Sequence, residues 1–119
     1  MIIETMITTL DREGRANFAP MGVVWGEEEI VVKPYRETTT HRNLLETGEA
    51  VVNLVDDVLY FVRGALSSPT FPSVPAVAVR GVVLELVVRL DHERRRRVRT
   101  VVVEEHLRVG RIVRVRRVQ

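Results

Sequence analysis

The sequence predicts a mainly β fold: a small barrel of six or more antiparallel strands, Greek-key-like, with one or two short helices. Three observations predict it. Val, Ile and Thr dominate the periodic segments, Gly and Pro interrupt them at short intervals, and one stretch alone carries clear helix start and stop signals. Antiparallel neighbours joined by short turns account for this spacing better than βαβ units, and no internal repeat is present.

Each element follows from local chemistry. A first strand is expected over residues 2–9. Asp11-Arg12-Glu13-Gly14 is a turn in which Gly14 is free to take a positive φ, and residues 17–25 return as the second strand. Pro20 lies inside that strand, and a residue without an N–H belongs at an edge or a bulge. Gly22 removes a side chain just beyond it, so local irregularity is expected where a backbone or a ligand comes close. Gly26-Glu27-Glu28 turns the chain into a third strand over 29–33, ended by Pro34. A helix of two or three turns is expected over 41–48, with a Thr as N-cap, Gly48 as its stop, and Leu44 and Leu45 facing the core. A fourth strand spans 49–55, and residues 58–66 read as a short helix or a strand followed by a helix. Residues 67–75 hold three Pro and read as a loop. Residues 76–90 read as a long strand with Gly81 at a bulge or bend. The Val- and Arg-rich residues 91–119 read as a hairpin, with 104–113 also open to a helical reading.

The length of 119 residues supports one domain, 1–119. Hydrophobic residues make up 45% and charged residues 29% of the chain, a globular balance that argues against global disorder. No apolar run approaches the roughly 20 residues of a membrane-spanning helix. Met1-Ile2-Ile3-Glu4 does not open a signal-peptide pattern, so the expected compartment is the cytoplasm. The absence of Cys excludes disulfides, thiolate zinc sites, iron–sulfur clusters and thiol nucleophiles. The net charge of +2 conceals an asymmetry: residues 1–60 carry 5 basic and 11 acidic side chains, residues 61–119 carry 13 and 5. The run Arg94-Arg95-Arg96-Arg97 has the look of a nucleic-acid footprint, but Arg alternating with Val from Arg111 to Val115 is what a half-buried strand produces by itself. No aromatic residue lies among these arginines to stack on bases, so nucleic acid is the secondary reading.

Two segments carry candidate chemistry. Lys33-Pro34-Tyr35-Arg36-Glu37-Thr38-Thr39-Thr40 places two cations, a phenol and three hydroxyls at the start of a helix. The first N–H groups of a helix lack internal partners and its dipole adds positive charge there, so an anion such as a phosphate is at home. Arg36 can grip phosphate oxygens bidentately. The bland alternative is one capping Thr and two solvated ones. The second segment, Asn17-Phe18-Ala19-Pro20-Met21-Gly22, lets a flat ligand lie against backbone groups; its bland alternative is an edge strand. His41, His92 and His106 lack metal-motif spacing and read as surface or helix-end residues, His41 being notable for following the Thr cluster. Asp56-Asp57 and Glu27-Glu28-Glu29 read as solvated turns, and Ser67-Ser68 lacks a nucleophile context. No P-loop or dinucleotide fingerprint occurs.

Glu4-Thr5-Met6-Ile7-Thr8-Thr9, Asn17-Phe18-Ala19-Pro20-Met21-Gly22, Lys33-Pro34-Tyr35-Arg36, Thr40-His41-Arg42-Asn43-Leu44 and Val51-Val52-Asn53-Leu54 occur in order. Together they resemble a family of uncharacterised prokaryotic, mostly archaeal, proteins with the FMN-binding split β-barrel fold. That family is related to the flavin reductases and more distantly to the pyridoxamine phosphate oxidases. The match is close from residue 2 to about 66 and continues through Pro72 and Arg80-Gly81-Val82-Val83-Leu84-Glu85. Residues 91–119 depart from it: family members are generally longer, with helices after the barrel and an Asn-Arg-Ala segment that this sequence lacks.

The resemblance implies an FMN-binding homodimer. The phosphate would meet the segment from Arg36 to Thr40, with Lys33, Tyr35, Thr38, Thr39 and Asn43 around it. The isoalloxazine ring would lie against Asn17, Ala19, Pro20, Met21 and Gly22, near the dimer interface. FMN would be held non-covalently, and NAD(P)H is the electron donor that the analogy with flavin reductases suggests. The residues leave three readings open: a flavin reductase-like oxidoreductase, a non-catalytic FMN carrier or electron-transfer module, and a nucleic-acid binder using the Arg-rich half. A pyridoxamine-oxidising enzyme fits the fold but not the side of the family that the residues resemble. Arg36→Ala is expected to weaken FMN binding by roughly 1.5–3 kcal/mol, the scale of a hydrogen bond to a charged group. A flavin fluorescence titration checks this, and an unchanged Kd would remove Arg36 from the phosphate site.

Overall fold

A computed structural model describes residues 1–26, 29–35, 37–55, 63, 70–77, 79–85, 98–106 and 113–117, the last two segments through their backbone. Strands β1 (Ile2–Leu10) and β2 (Ala16–Trp25) form a hairpin in unbroken register from Ile2↔Val24 to Leu10↔Ala16. Its loop is built by Asp11. The Asp11 C=O accepts the Gly14 N–H at 3.1 Å, and Gly14 takes the expected positive φ of 82°. The Asp11 carboxylate accepts the N–H groups of Glu13 and Arg15 at 3.0 and 2.8 Å and the Arg15 Nε–H at 2.7 Å. These bonds, the Arg15 backbone N–H first among them, hold the Asp11 carboxyl below its ordinary pKa.

The chain continues through β3 (Glu29–Val32), helix α1 (Thr39–Thr47), β4 (Glu49–Asn53), β5 (Ser73–Pro75), β6 (Val82–Leu84), β7 (Val98–His106) and β8 (Val113–Arg117). Six strands close into a barrel in the order β1-β2-β3-β8-β7-β4, every pair antiparallel, and β5 and β6 form a separate two-stranded ribbon. β3 and β4 follow each other in sequence but are separated in the ring by β7 and β8, a Greek-key connection that α1 carries. The expected C-terminal hairpin therefore completes the barrel. No helix among the described residues is long and apolar enough to cross a membrane.

Several expectations need correction. α1 begins two residues earlier than expected, because the Thr38 cap starts it. Leu44 is buried but Leu45 is 54% exposed: adjacent helical residues point about 100° apart, and one of them must leave the core. β4 ends at Asn53 rather than 55. The Pro-rich loop contains the short strand β5, and the long strand expected over 76–90 is, among its described residues, only β6. Ahead of β6 the chain turns tightly, with the Ala76 N–H donating to the Gly81 C=O at 2.9 Å. The 58–66 element (Arg63 apart), the 107–112 part of the possible C-terminal helix, Glu27, Glu28, Asp56-Asp57, Ser67-Ser68, His92 and the Arg94–97 run lie outside the described residues.

Two apolar clusters divide the core. Ile7, Val23, Ile30, Val32, Ala50 and Val52 come from four barrel strands and fill the barrel, with Leu44 of α1 packed on them. Met6, Phe18, Val51 and Val83 belong to a second cluster between the barrel wall and the ribbon. There Phe71 meets Phe18 edge-on, with ring centroids 5.5 Å apart. Met6 and Ile7 thus serve opposite faces of one strand buried on both sides.

Asn53 joins the two layers. It is fully buried, its Nδ2 donates to the Met6 C=O at 2.9 Å, and its Oδ1 accepts the Leu84 N–H of the ribbon at 3.1 Å. Asn53→Ala removes both partners inside the core, and each buried backbone group left unpaired costs roughly 1–3 kcal/mol. Urea denaturation is expected to show a loss of at least that size, whereas a change within about 0.5 kcal/mol, the scale of a surface substitution, would deny Asn53 this role.

Candidate functional site

A cleft of about 480 Å³ opens beside the barrel. β2 supplies Ala19, Pro20, Met21 and Gly22; the segment leaving β3 supplies Lys33 and Tyr35; the start of α1 supplies Thr38 and Thr40; β1 supplies Glu4. The two segments singled out in the sequence therefore meet at one place.

Strand phase explains why β2 is open there. The Trp25 N–H donates to the Met1 C=O at 2.8 Å, so the odd-numbered residues of β2 exchange hydrogen bonds with β1. The even-numbered ones, Pro20 and Gly22 among them, turn their backbone groups away from β1. On that side β3 pairs with Val23, Val24 and Trp25 and goes no further. The Gly22 N–H therefore faces the cleft beyond the end of the β2–β3 ladder. Pro20 sits in the same phase and has no N–H to leave unpaired. The register runs straight through Met6↔Pro20, so of the two expectations for Pro20 the edge holds and the bulge does not.

The space that Gly22 leaves is taken by the Glu4 side chain. A Cβ there would lie 2.9 Å from Glu4 Oε1. Glu4 was not among the candidates from sequence, although a hairpin centred on the Gly14 turn already places it opposite Gly22.

The opposite wall is the start of α1. Thr38 is its N-cap, with φ −86° and ψ 156°. The Thr38 hydroxyl accepts the His41 N–H at 3.2 Å and donates to the Tyr35 C=O at 2.7 Å. Thr39 and Thr40 occupy the first turn, where N–H groups have no carbonyl one turn back. No acidic residue stands in that turn to neutralise the dipole. Thr40 is buried and its Oγ1 accepts a hydrogen bond from Asn17 Nδ2 at 3.1 Å, tying the helix start to β2. Gly48 ends the helix with φ 70°, its N–H donating to the Leu44 C=O at 3.1 Å.

The remaining candidates divide. Lys33 is exposed at the rim and Tyr35 is 69% exposed. Thr39 is half-buried and does not line the cleft. Asn43 is fully buried behind the wall; its Nδ2 donates to Thr9 Oγ1 at 3.0 Å and its Oδ1 finds no partner among the described residues. Arg36 lies outside the described residues. His41 is buried rather than a solvated helix end, and His106 is a β7 residue opposite Val113. Among the described residues no three His, Cys, Asp or Glu side chains group to hold a metal.

The profile of the family described as "Protein of unknown function (DUF447) N-terminal domain" matches residues 3–109. The chain belongs to this family. No curated protein matches the sequence. Among solved structures, an FMN-bound protein of the DUF447 family from Methanosarcina mazei is 20% identical and superposes with a TM-score of 0.72, over 98% of this chain and 57% of that one. The flavoredoxin of Desulfovibrio vulgaris (Miyazaki F) is 14% identical with a TM-score of 0.76, over 99% and 68%. A putative flavin reductase with a split barrel domain from Shewanella frigidimarina is 15% identical with a TM-score of 0.75, over 98% and 64%. At these identities the likeness shows a shared fold, the split β-barrel, and the DUF447 chain spans little more than half of the Methanosarcina protein's length.

Capping predicts a separable effect of Thr38. Thr38→Ala is expected to cost about 1 kcal/mol of stability, the usual loss for a capping hydroxyl. A urea midpoint lowered with an unchanged slope checks this, and an unchanged midpoint would mean that Thr38 does not cap α1.

Proposed function

We propose that this chain is the FMN-binding portion of a flavin reductase-like oxidoreductase, holding FMN non-covalently in the cleft between β2 and α1. One observation carries the reading: a bare strand edge and an anion-favouring helix start, each nominated separately by the sequence, share one cleft. Its size lies within the roughly 300–1,000 Å³ range of small-molecule and cofactor sites. Gly22 brings no side chain of its own to the strand wall, and the relatives of like fold include an FMN-bound protein.

In this reading the N–H groups of the first turn of α1, the Thr40 hydroxyl and the Lys33 ammonium hold the phosphate, with Arg36 beside them in sequence. The Gly22 N–H, rather than that of Met21, donates to the polar edge of the ring: Met21 exchanges its hydrogen bonds with Thr5 on β1, and Gly22 faces the cleft. A fixed donor at the place where negative charge develops on reduction favours the reduced ring. Bound flavin supplies hydride and single-electron chemistry, and the protein supplies position and electrostatics. NAD(P)H is the proposed donor. Met1, Ile2 and Val77, 80%, 75% and 90% exposed, belong in this proposal to the interface of a homodimer.

The deciding measurement is the absorbance spectrum of the protein after incubation with FMN and desalting. Retained bands near ~370 and ~450 nm, the signature of bound oxidised flavin, are expected. A protein that retains no flavin would overturn the reading. Steady NAD(P)H consumption by the loaded protein separates a reductase from a carrier that binds without turnover.

A further inference from the structure

The start of α1 offers two hydroxyls to the cleft, and their hydrogen bonds make them unequal. The Thr38 hydroxyl has one proton and spends it on the Tyr35 C=O at 2.7 Å, while its oxygen receives the His41 N–H. The Thr40 hydroxyl is in the opposite state. Its oxygen receives Asn17 Nδ2 at 3.1 Å, and its own proton has no acceptor among the described residues. Thr40 is 2% exposed and lines the cleft, so bulk water does not readily serve that proton. An amide NH2 group only donates, so a hydroxyl that receives it keeps its proton for another acceptor. A buried hydroxyl proton without an acceptor is costly, and the open side here is the cleft.

We infer that Thr40 is the hydroxyl that donates to a phosphate monoester in this cleft, and that Asn17 is the positioning residue that turns the Thr40 proton toward it. The inference rests on the FMN reading and deepens it. Asn17 belongs to β2, two residues before the cleft-lining Ala19, and reaches across to α1. It therefore sets the orientation of the donor and links the wall that takes the ring to the wall that takes the phosphate. The pair selects flavin that carries a terminal phosphate over flavin that lacks one.

The test compares Kd for FMN and for riboflavin, which share the ring and ribityl chain and differ by the phosphate. The ratio of the two isolates phosphate recognition from ring binding and from loss of fold. Thr40→Val keeps the shape and removes the hydroxyl; the preference for FMN is expected to fall roughly tenfold or more, the scale of a hydrogen bond to a charged group. Thr40→Ser is expected to restore the preference. Asn17→Asp keeps the size but can only accept, so it takes the Thr40 proton for itself; the preference is expected to fall at least as far as in Thr40→Val. Asn17→Ala is expected to lower the preference in the native background and to add nothing in the Thr40→Val background, because the two act through one proton. FMN binding with an unchanged FMN/riboflavin ratio in Thr40→Val and Asn17→Asp would overturn this inference and leave the cofactor assignment standing. A native protein that binds neither flavin would overturn the cofactor assignment itself.

Discussion

The Asn53 amide fixes the phase on which the rest of the molecule depends. Asn53 lies opposite Met6 in the β1–β4 ladder that closes the barrel, and its side chain reaches the ribbon as well as β1. Its donor and acceptor ends have different partners, the Met6 C=O and the Leu84 N–H, so the amide fits one register only. That register puts Met6 toward the ribbon and Ile7 into the barrel. A slip of one residue would exchange the two faces of β1. The β1–β2 hairpin carries the same phase to β2, and there it decides that Gly22 and Pro20, not Met21, present their backbone edge away from β1. The open edge of the cleft is a consequence of which way Met6 faces.

The cleft exists because β3 is short. With four residues, it covers β2 only as far as Val23, and Pro34 follows one residue after Lys33 to bar further pairing. The chain then has to cross from β3 to β4 over the end of the barrel, and α1 makes that crossing. The segment that leaves a strand edge unpaired is thus the segment that starts a helix, and both open sets of backbone donors end up on one cleft. Asn17 and Thr40 bridge the two walls, so their separation is set by a hydrogen bond rather than by loop conformation. Glu4 places a carboxylate on the same cleft, opposite Gly22, which confines the positive potential to the Lys33 and helix-start side.

Much of this was legible where local chemistry decides. Gly14 and Gly48 announced a turn and a helix stop, and each stands where those signals put it; a capping Thr was announced too, but Thr38 starts the helix two residues earlier than expected. The two halves of the cleft were also legible, each as a run of residue types suited to one part of a ligand. Their union was not, because it depends on strand phase and on the length of β3. Leu45 misled because periodicity over nine residues does not say which of two adjacent leucines the core takes. β5 and β6, three residues each, are too short to show an alternation, and Pro72 and Pro75 disguised the first as loop. The role of Asn53 was not legible, because its partners lie 47 and 31 residues away.

The alternation of Val and Arg in the last strand has a structural counterpart. The last strand, β8, takes the place between β3 and β7 that the barrel needs filled. The register sets Val113 and Val115 opposite the buried Val32 and Ile30, and Arg114 and Arg116 opposite the half-buried Val31 and the exposed Glu29. The alternation of Val and Arg in sequence therefore has the same period and the same phase as the burial of the strand beside it. Alternation of this kind is what a strand with one buried face requires, whatever the polar residue chosen. Arg114 and Arg116 follow the period of a barrel strand. Arg116 also falls beside Glu29, so β8 of the basic half is set against β3 of the acidic half. The strand that closes the ring thus presents Val opposite the buried positions of β3 and Arg opposite the others.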